Sequence, residues 1–305
     1  MKKLLALGLA LLLLTGCTAA YDGPTESAQV LGETVTTYYY PIFGTAAYTE
    51  RTVYAYDIYG NQCQEYQYYN DELNRKITKT YDAAGNVLTE RQKWKPDWLW
   101  EDIFCIESSY DSRNLPTART IHSADNTYHF TWTYDAQGRP LTQDTNGSRE
   151  TYTYDDANHT QTETRADGTL AFRQFREDGA LLLEERTKAD GTMTRREYTR
   201  RADGQPETIQ TWENGILTGS ETYTYDDQDR PIRHEVTGEQ PSVTRWEYSD
   251  RQRTVYHPDG TRTVTGYDAE GRVRTELYYH ADGILGHDTE YIYITIQVPA
   301  KEETP

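Results

Sequence analysis

The chain has 305 residues, with 49 Asp+Glu against 31 Lys+Arg and a formal net charge of −18. A field of that sign excludes nucleic acid as a partner, because such binding draws on Lys and Arg to neutralise phosphates. Only 36% of residues are hydrophobic while 27 are Tyr and 6 are Trp, so any core is thin, aromatic and wet.

The N-terminus opens with Met1-Lys2-Lys3 and an apolar stretch from Leu4 to Leu14. A positive end followed by a short apolar run is a secretion signal; a membrane span needs about 20 apolar residues. The next four residues, Leu14-Thr15-Gly16-Cys17, resemble the bacterial lipobox. The resemblance implies that 1–16 is a cleaved signal peptide and that Cys17 becomes the acylated first residue. That would anchor the chain in the cell envelope, on the outer side of the cytoplasmic membrane or in the outer membrane. Residues 17–32 are small and polar and read as a flexible tether, 33–298 as the folded domain, and 299–305 as a disordered tail.

The folded domain is punctuated at short intervals. Tyr-Asp with a turn former four residues after the Tyr recurs at Tyr56-Asp57, Tyr81-Asp82, Tyr110-Asp111, Tyr134-Asp135, Tyr154-Asp155, Tyr225-Asp226 and Tyr267-Asp268. Ala-Asp-Gly or Pro-Asp-Gly recurs between them, as at Asp167-Gly168, Asp190-Gly191, Asp203-Gly204, Asp259-Gly260 and Asp282-Gly283. Asp-Gly between strand-like segments marks a hairpin, since Gly accepts the positive φ that such turns need. Turn centres fall near residues 60, 71, 85, 97, 114, 125, 138, 147, 158, 168, 179, 191, 204, 215, 229, 238, 250, 260, 271 and 283. One short strand fits each gap. The expected fold is all-β: a repeat array, a long antiparallel meander of about 20 short strands whose sheet twists or curls.

Two segments, Thr131-Trp132-Thr133-Tyr134-Asp135-Ala136-Gln137-Gly138-Arg139-Pro140-Leu141 and Thr263-Val264-Thr265-Gly266-Tyr267-Asp268-Ala269-Glu270-Gly271-Arg272-Val273, resemble the YD repeats of the RHS family. The resemblance covers about residues 50–285. It implies a spiralling β-sheet, which in long members forms a shell around a toxic C-terminal cargo. Here the chain stops at 299–305, so cargo delivery is not expected.

No catalytic, phosphate-loop or dinucleotide fingerprint is present, and neither a cofactor nor a metal is expected. Of the seven His, His122 and His129 would sit side by side if Asp125-Asn126 were a two-residue turn. Two ligands fall short of the usual four of a structural zinc site. Cys63 and Cys105 fall three strands apart, beyond disulfide reach, which predicts two free thiols. The aromatic anomaly is Trp94, Trp98 and Trp100, expected on a long loop around residue 97 and able to contact a ligand. These features together suggest a non-enzymatic, membrane-anchored structural or adhesive module that binds a glycan or a protein. Alternatives are an envelope polysaccharide-acting enzyme and a remnant of an RHS toxin-shell system.

Overall fold

The computed structural model describes residues 25–39, 46–95 and 101–300. All of its regular structure is strand, and no helix among these residues is long and apolar enough to cross a membrane. The strands fall into two compact units.

The first unit holds β1 (Thr25–Tyr39), β2 (Ala46–Tyr56), β3 (Gln62–Tyr69), β4 (Glu72–Tyr81), β5 (Val87–Trp94), β6 (Glu101–Tyr110), most of β7 (Pro116–Ser123), and, from the chain's end, β20 (Arg262–Tyr267), β21 (Val273–Tyr279) and β22 (Leu285–Pro299). The second unit holds β8 (Thr127–Tyr134), β9 (Pro140–Thr145), β10 (Ser148–Asp155), β11 (Thr160–Thr164), β12 (Leu170–Phe175), β13 (Leu181–Thr187), β14 (Met193–Arg200), β15 (Pro206–Glu213), β16 (Ile216–Tyr225), β17 (Pro231–Gly238), β18 (Ser242–Ser249) and β19 (Gln252–Tyr256). Within each unit consecutive strands pair antiparallel, as from β2 to β6 and from β8 to β19. The first unit adds a pairing that no turn encodes. β1 bonds to β2 on one side and to β22 on the other, with Tyr38 opposite both Tyr48 and His287.

Every expected turn centre within the described residues lies between two strands except 238, which is the last residue of β17, and two turn chemistries account for most of them. In the first, represented by residues 57–61, the Gly60 amide donates to the Asp57 carbonyl and the Asp57 amide to the Asn61 carbonyl, while Gly60 takes φ 86°. This is a type I turn closed by a left-handed residue. The Asp57 carboxylate accepts from the amides of Tyr59 and Asn61, both at 2.9 Å. Residues 165–169 form the same backbone loop, but there the cap is Asp167, which accepts from Thr169 at 2.8 Å. The Tyr-Asp and Ala-Asp-Gly signatures are thus one turn, capped from two alternative positions. The second chemistry is the two-residue turn at Asn70-Asp71, Asn146-Gly147 and Asn214-Gly215, where both residues have positive φ. Its Asn also reaches sideways: Asn214 Oδ1 accepts from the Met193 amide at 2.9 Å, and the Asn214 amide donates to the Met193 carbonyl at 2.8 Å.

The motif tyrosine is a lateral strut. Tyr81, Tyr110, Tyr134, Tyr154 and Tyr225 donate their hydroxyls to the carbonyls of Gln62, Val87, Pro116, Pro140 and Pro206, at 2.5 to 3.0 Å. Each acceptor is the second residue after the preceding left-handed turn residue. An arginine often caps the ring, as Arg139 does over Tyr154 at 4.2 Å and Arg230 over Tyr248 at 4.3 Å. Where Arg200 replaces the tyrosine, its Nε makes the equivalent bond to the Leu181 carbonyl at 2.7 Å.

The dry core is small: Val53, Ala55, Cys63, Tyr66, Ile77, Ala171, Ile209 and Ile296 are the buried hydrophobic residues. Buried Glu163, Thr254 and Thr265 show how polar the remainder is. Glu163 is matched by Arg165 at 2.5 Å and Arg173 at 2.9 Å. Burial alone would raise its carboxyl pKa, yet the two guanidiniums hold it below the usual range.

The structure departs from the sequence reading in several places. Residues 25–32, assigned to the tether by composition, are strand, because β22 supplies a partner along the whole of β1. In the copy at Tyr154 the left-handed residue is His159, one beyond Asn158. The turn after β7 brackets Ala124-Asp125, since the Ser123 amide donates to the Asn126 carbonyl at 2.8 Å. That register sets His122 against Thr127, with Nδ1 3.1 Å from Oγ1, and His129 is not its partner.

Candidate functional site

Among the described residues no group of three or more His, Cys, Asp or Glu could hold a metal ion. The most distinctive side-chain arrangement is a row of rings across adjacent strands of the first unit. Starting on β3, Tyr69 lies 5.1 Å from Tyr48 of β2, which stacks at 4.4 Å on Tyr38 of β1. Tyr38 is 5.4 Å from His287 of β22, and His287 stacks at 5.0 Å on Tyr278 of β21, whose ring meets the edge of His280 at 5.4 Å. These separations match the spacing of neighbouring strands, about 4.8 Å, so each ring leans on the next across one ladder.

The row lies at the end of the unit that carries the Asn70-Asp71 turn. Side chains two apart on a strand share a face, so Gln67 and Tyr69 do. Gln67 stands opposite Arg75, and Arg75 opposite Trp94. Trp94 therefore belongs to the same face and the same end as the row. Because neighbours cover each other's ring faces, the open apolar surface sits at the margin, where Tyr69 is 43% and Trp94 46% exposed. Burial is the main cause of the raised phenol pKa values of Tyr38 and Tyr48, with Glu50 adding to both. The hydroxyl of Tyr38 donates to Glu50 at 3.3 Å, and the raised values of Tyr38 and Tyr48 keep these two phenols protonated.

A smaller cluster lies in the second unit. His234 stacks on Tyr223 at 4.3 Å, and its Nε2 is 3.0 Å from Glu221, which also receives Arg196 at 2.8 Å. Every group here is satisfied by its neighbours across β14, β16 and β17, and the cluster acts as cross-strand fastening.

Of the residues marked from the sequence, Trp94 closes β5 instead of sitting on a loop, and it is exposed. Trp98, Trp100 and Cys17 lie outside the described residues. Cys105 is a free thiol on β6. Cys63 is disulfide-bonded, which corrects the expectation of two free thiols. The strand count that keeps it from Cys105 stands, and the partner lies outside the described residues. The aromatic row itself escaped sequence reading. Its only local signals were Tyr38-Tyr39-Tyr40 and Tyr278-Tyr279-His280, and nothing in either says that the two segments meet.

Residues 134–170 match the model of the RHS repeat, the stretch that contains Tyr134-Asp135 and its capped turn. A search of curated proteins found no match. Among solved structures, the chain is similar to a crystal structure of TcdB2-TccC3, at 12% identity and TM-score 0.38, covering 82% of this chain and 18% of that one. It is similar to the Photorhabdus luminescens Tc holotoxin pore at 11% identity and TM-score 0.36, covering 82% and 18%. A porin-like protein from Bacteroides uniformis shares 10% identity at TM-score 0.35, covering 87% of this chain and 96% of that one. The chain thus spans less than a fifth of the first two.

Proposed function

We propose that this protein is a non-catalytic, membrane-anchored β-repeat module of the cell surface that holds a glycan or a protein on the aromatic end of its first unit. The observation that carries the reading is the row from Tyr69 to His280 with Trp94 at its margin. Two large exposed aromatics share one face with a preformed ladder that fixes its own side chains, which lowers the entropy cost of binding. The anchor is Cys17. A sulfur bonded to a diacylglyceryl group cannot also form a disulfide, and Cys105 is free, so the lipidated form carries Cys63 as a thiol.

Two experiments test this reading. Replacing Tyr69 and Trp94 with Ala is expected to abolish retention on isolated envelope polysaccharide or envelope protein while the sheet stays folded by circular dichroism, since both rings stand at the exposed margin of the row. A variant that binds as well as the parent contradicts the reading. For the anchor, Cys17→Ser should move the protein out of the detergent phase, and peptide mass spectrometry of the parent should find Cys63 reduced. A mature chain with an intact Cys63 disulfide argues against the lipid. The RHS repeat at 134–170 supports a second reading, a remnant of a toxin-shell system, and a neighbouring toxin or immunity gene would favour it.

A further inference from the structure

A second surface stands at the opposite end of the same unit, on the turns 57–61 and 82–86. The capped turns share one backbone, and in the Tyr-Asp copies the residue before the left-handed position is held through its amide, which donates to the capping Asp. That position is Ala84, Arg113, Gln137, Gln228 or Glu270 in other copies, and Asp in the Asp-Gly copies. In the first copy it is Tyr59, the one aromatic residue in this series. Its amide donates to Asp57, as the fold requires, while its side chain is 62% exposed. The ring therefore contributes little to folding and forms the wall of a groove.

The groove runs between the two turns and is lined by Tyr59, Asn61, Gln64, Thr78, Thr80 and Asp82. Its surface combines one open aromatic ring with hydroxyl, amide and carboxylate oxygens. Apolar contact from one ring and a few placed polar groups are the usual makings of a small-ligand site. A sugar suits that mixture, since it carries an apolar C–H face and a rim of hydroxyls. Charge narrows the class. Asp57 and Asp82 line the groove as turn-capping carboxylates, and Lys79 is committed to Glu90 at 3.5 Å, so a carboxylated sugar would be repelled. We infer that this groove binds a residue of a neutral polysaccharide, with Tyr59 as the stacking platform and Asn61, Gln64 and Thr80 as hydrogen-bonding partners.

The test is calorimetric titration of the mature full-length chain with cellohexaose, with chitohexaose, and with hexagalacturonate as the acidic control. At least one neutral hexasaccharide should bind and hexagalacturonate should not. Tyr59→Ala should weaken binding about tenfold or more, and Tyr59→Phe should keep it within about threefold. Neither change should shift the melting temperature, because the ring is open. The inference is overturned if neither neutral sugar binds, if Tyr59→Ala binds like the parent, or if the acidic sugar binds best. The Tyr69→Ala, Trp94→Ala variant should leave this titration unchanged, so the groove and the aromatic row stand or fall separately.

Discussion

The tyrosine strut makes its demands at the level of single residues. Its hydroxyl must stay protonated to donate, and burial pushes the phenol of Tyr56, which donates to the Leu31 carbonyl at 2.7 Å, up to about 12. A raised phenol pKa means the fold favours the neutral form. That contribution is complete below the unfolded value of about 10 and is lost as pH rises from there to about 12. Phenolate absorbance and far-ultraviolet circular dichroism should therefore change together across that window; tyrosines that all ionise near 10 with the sheet intact would contradict it. The turn caps act in the other direction. The Arg176 hydrogen bond leads the effects that bring Asp178 down to about 2, and Asp82, Asp155 and Asp226 are also held below the usual range. Their contribution is present above about pH 4 and lost as pH falls toward 2, so the melting temperature should drop on that side too. The natural replacement of a strut by Arg200 yields a sharper case. Arg200→Tyr should be nearly neutral, whereas Arg200→Ala leaves the Leu181 carbonyl without its side-chain donor and should cost about 1 kcal/mol by thermal denaturation.

Hairpins are the element at which sequence and structure agree best. Asp-Gly and Tyr-Asp signals placed the turns because positive φ and a carboxylate cap are local requirements that a short stretch can display. Pairing between distant segments is not local. Tyr38 and His287 meet because the ends of the chain hydrogen-bond, and no residue near either one advertises the other. His122 illustrates a smaller failure: the turn slid by one residue, and a slip of that size changes every cross-strand partner. Composition misjudged residues 25–32 for the same reason, since a polar strand becomes ordered once a long partner exists. The Asn turns allow a test at this scale. Asn214→Gly keeps the positive φ but loses the sideways bond to Met193, while Asn214→Ala loses both. The Ala variant should be the less stable of the two, by about 1 kcal/mol or more. Equal stabilities would mean the backbone conformation at Asn214 is not under demand.

Across the molecule, cohesion comes from a repeated polar joint between neighbouring strands more than from a shared interior. Few residues are buried, while the strut, the cap and the Asn clamp recur along both units. Stability in such an array is a sum of nearest-neighbour terms, and a local lesion should stay local. The composition of many tyrosines and few aliphatics foreshadowed this thin core, although which carbonyl each tyrosine reaches required the register. Native-state hydrogen exchange on Tyr225→Phe tests the claim most directly. That change removes one donor to the Pro206 carbonyl, a bond of 2.6 Å between the end of β16 and the start of β15. Faster exchange confined to β15, β16 and β17, with β10 to β12 protected as in the parent, is the result predicted. An equal loss of protection throughout the second unit would show that one cooperative core holds it, and would contradict the joint-by-joint account.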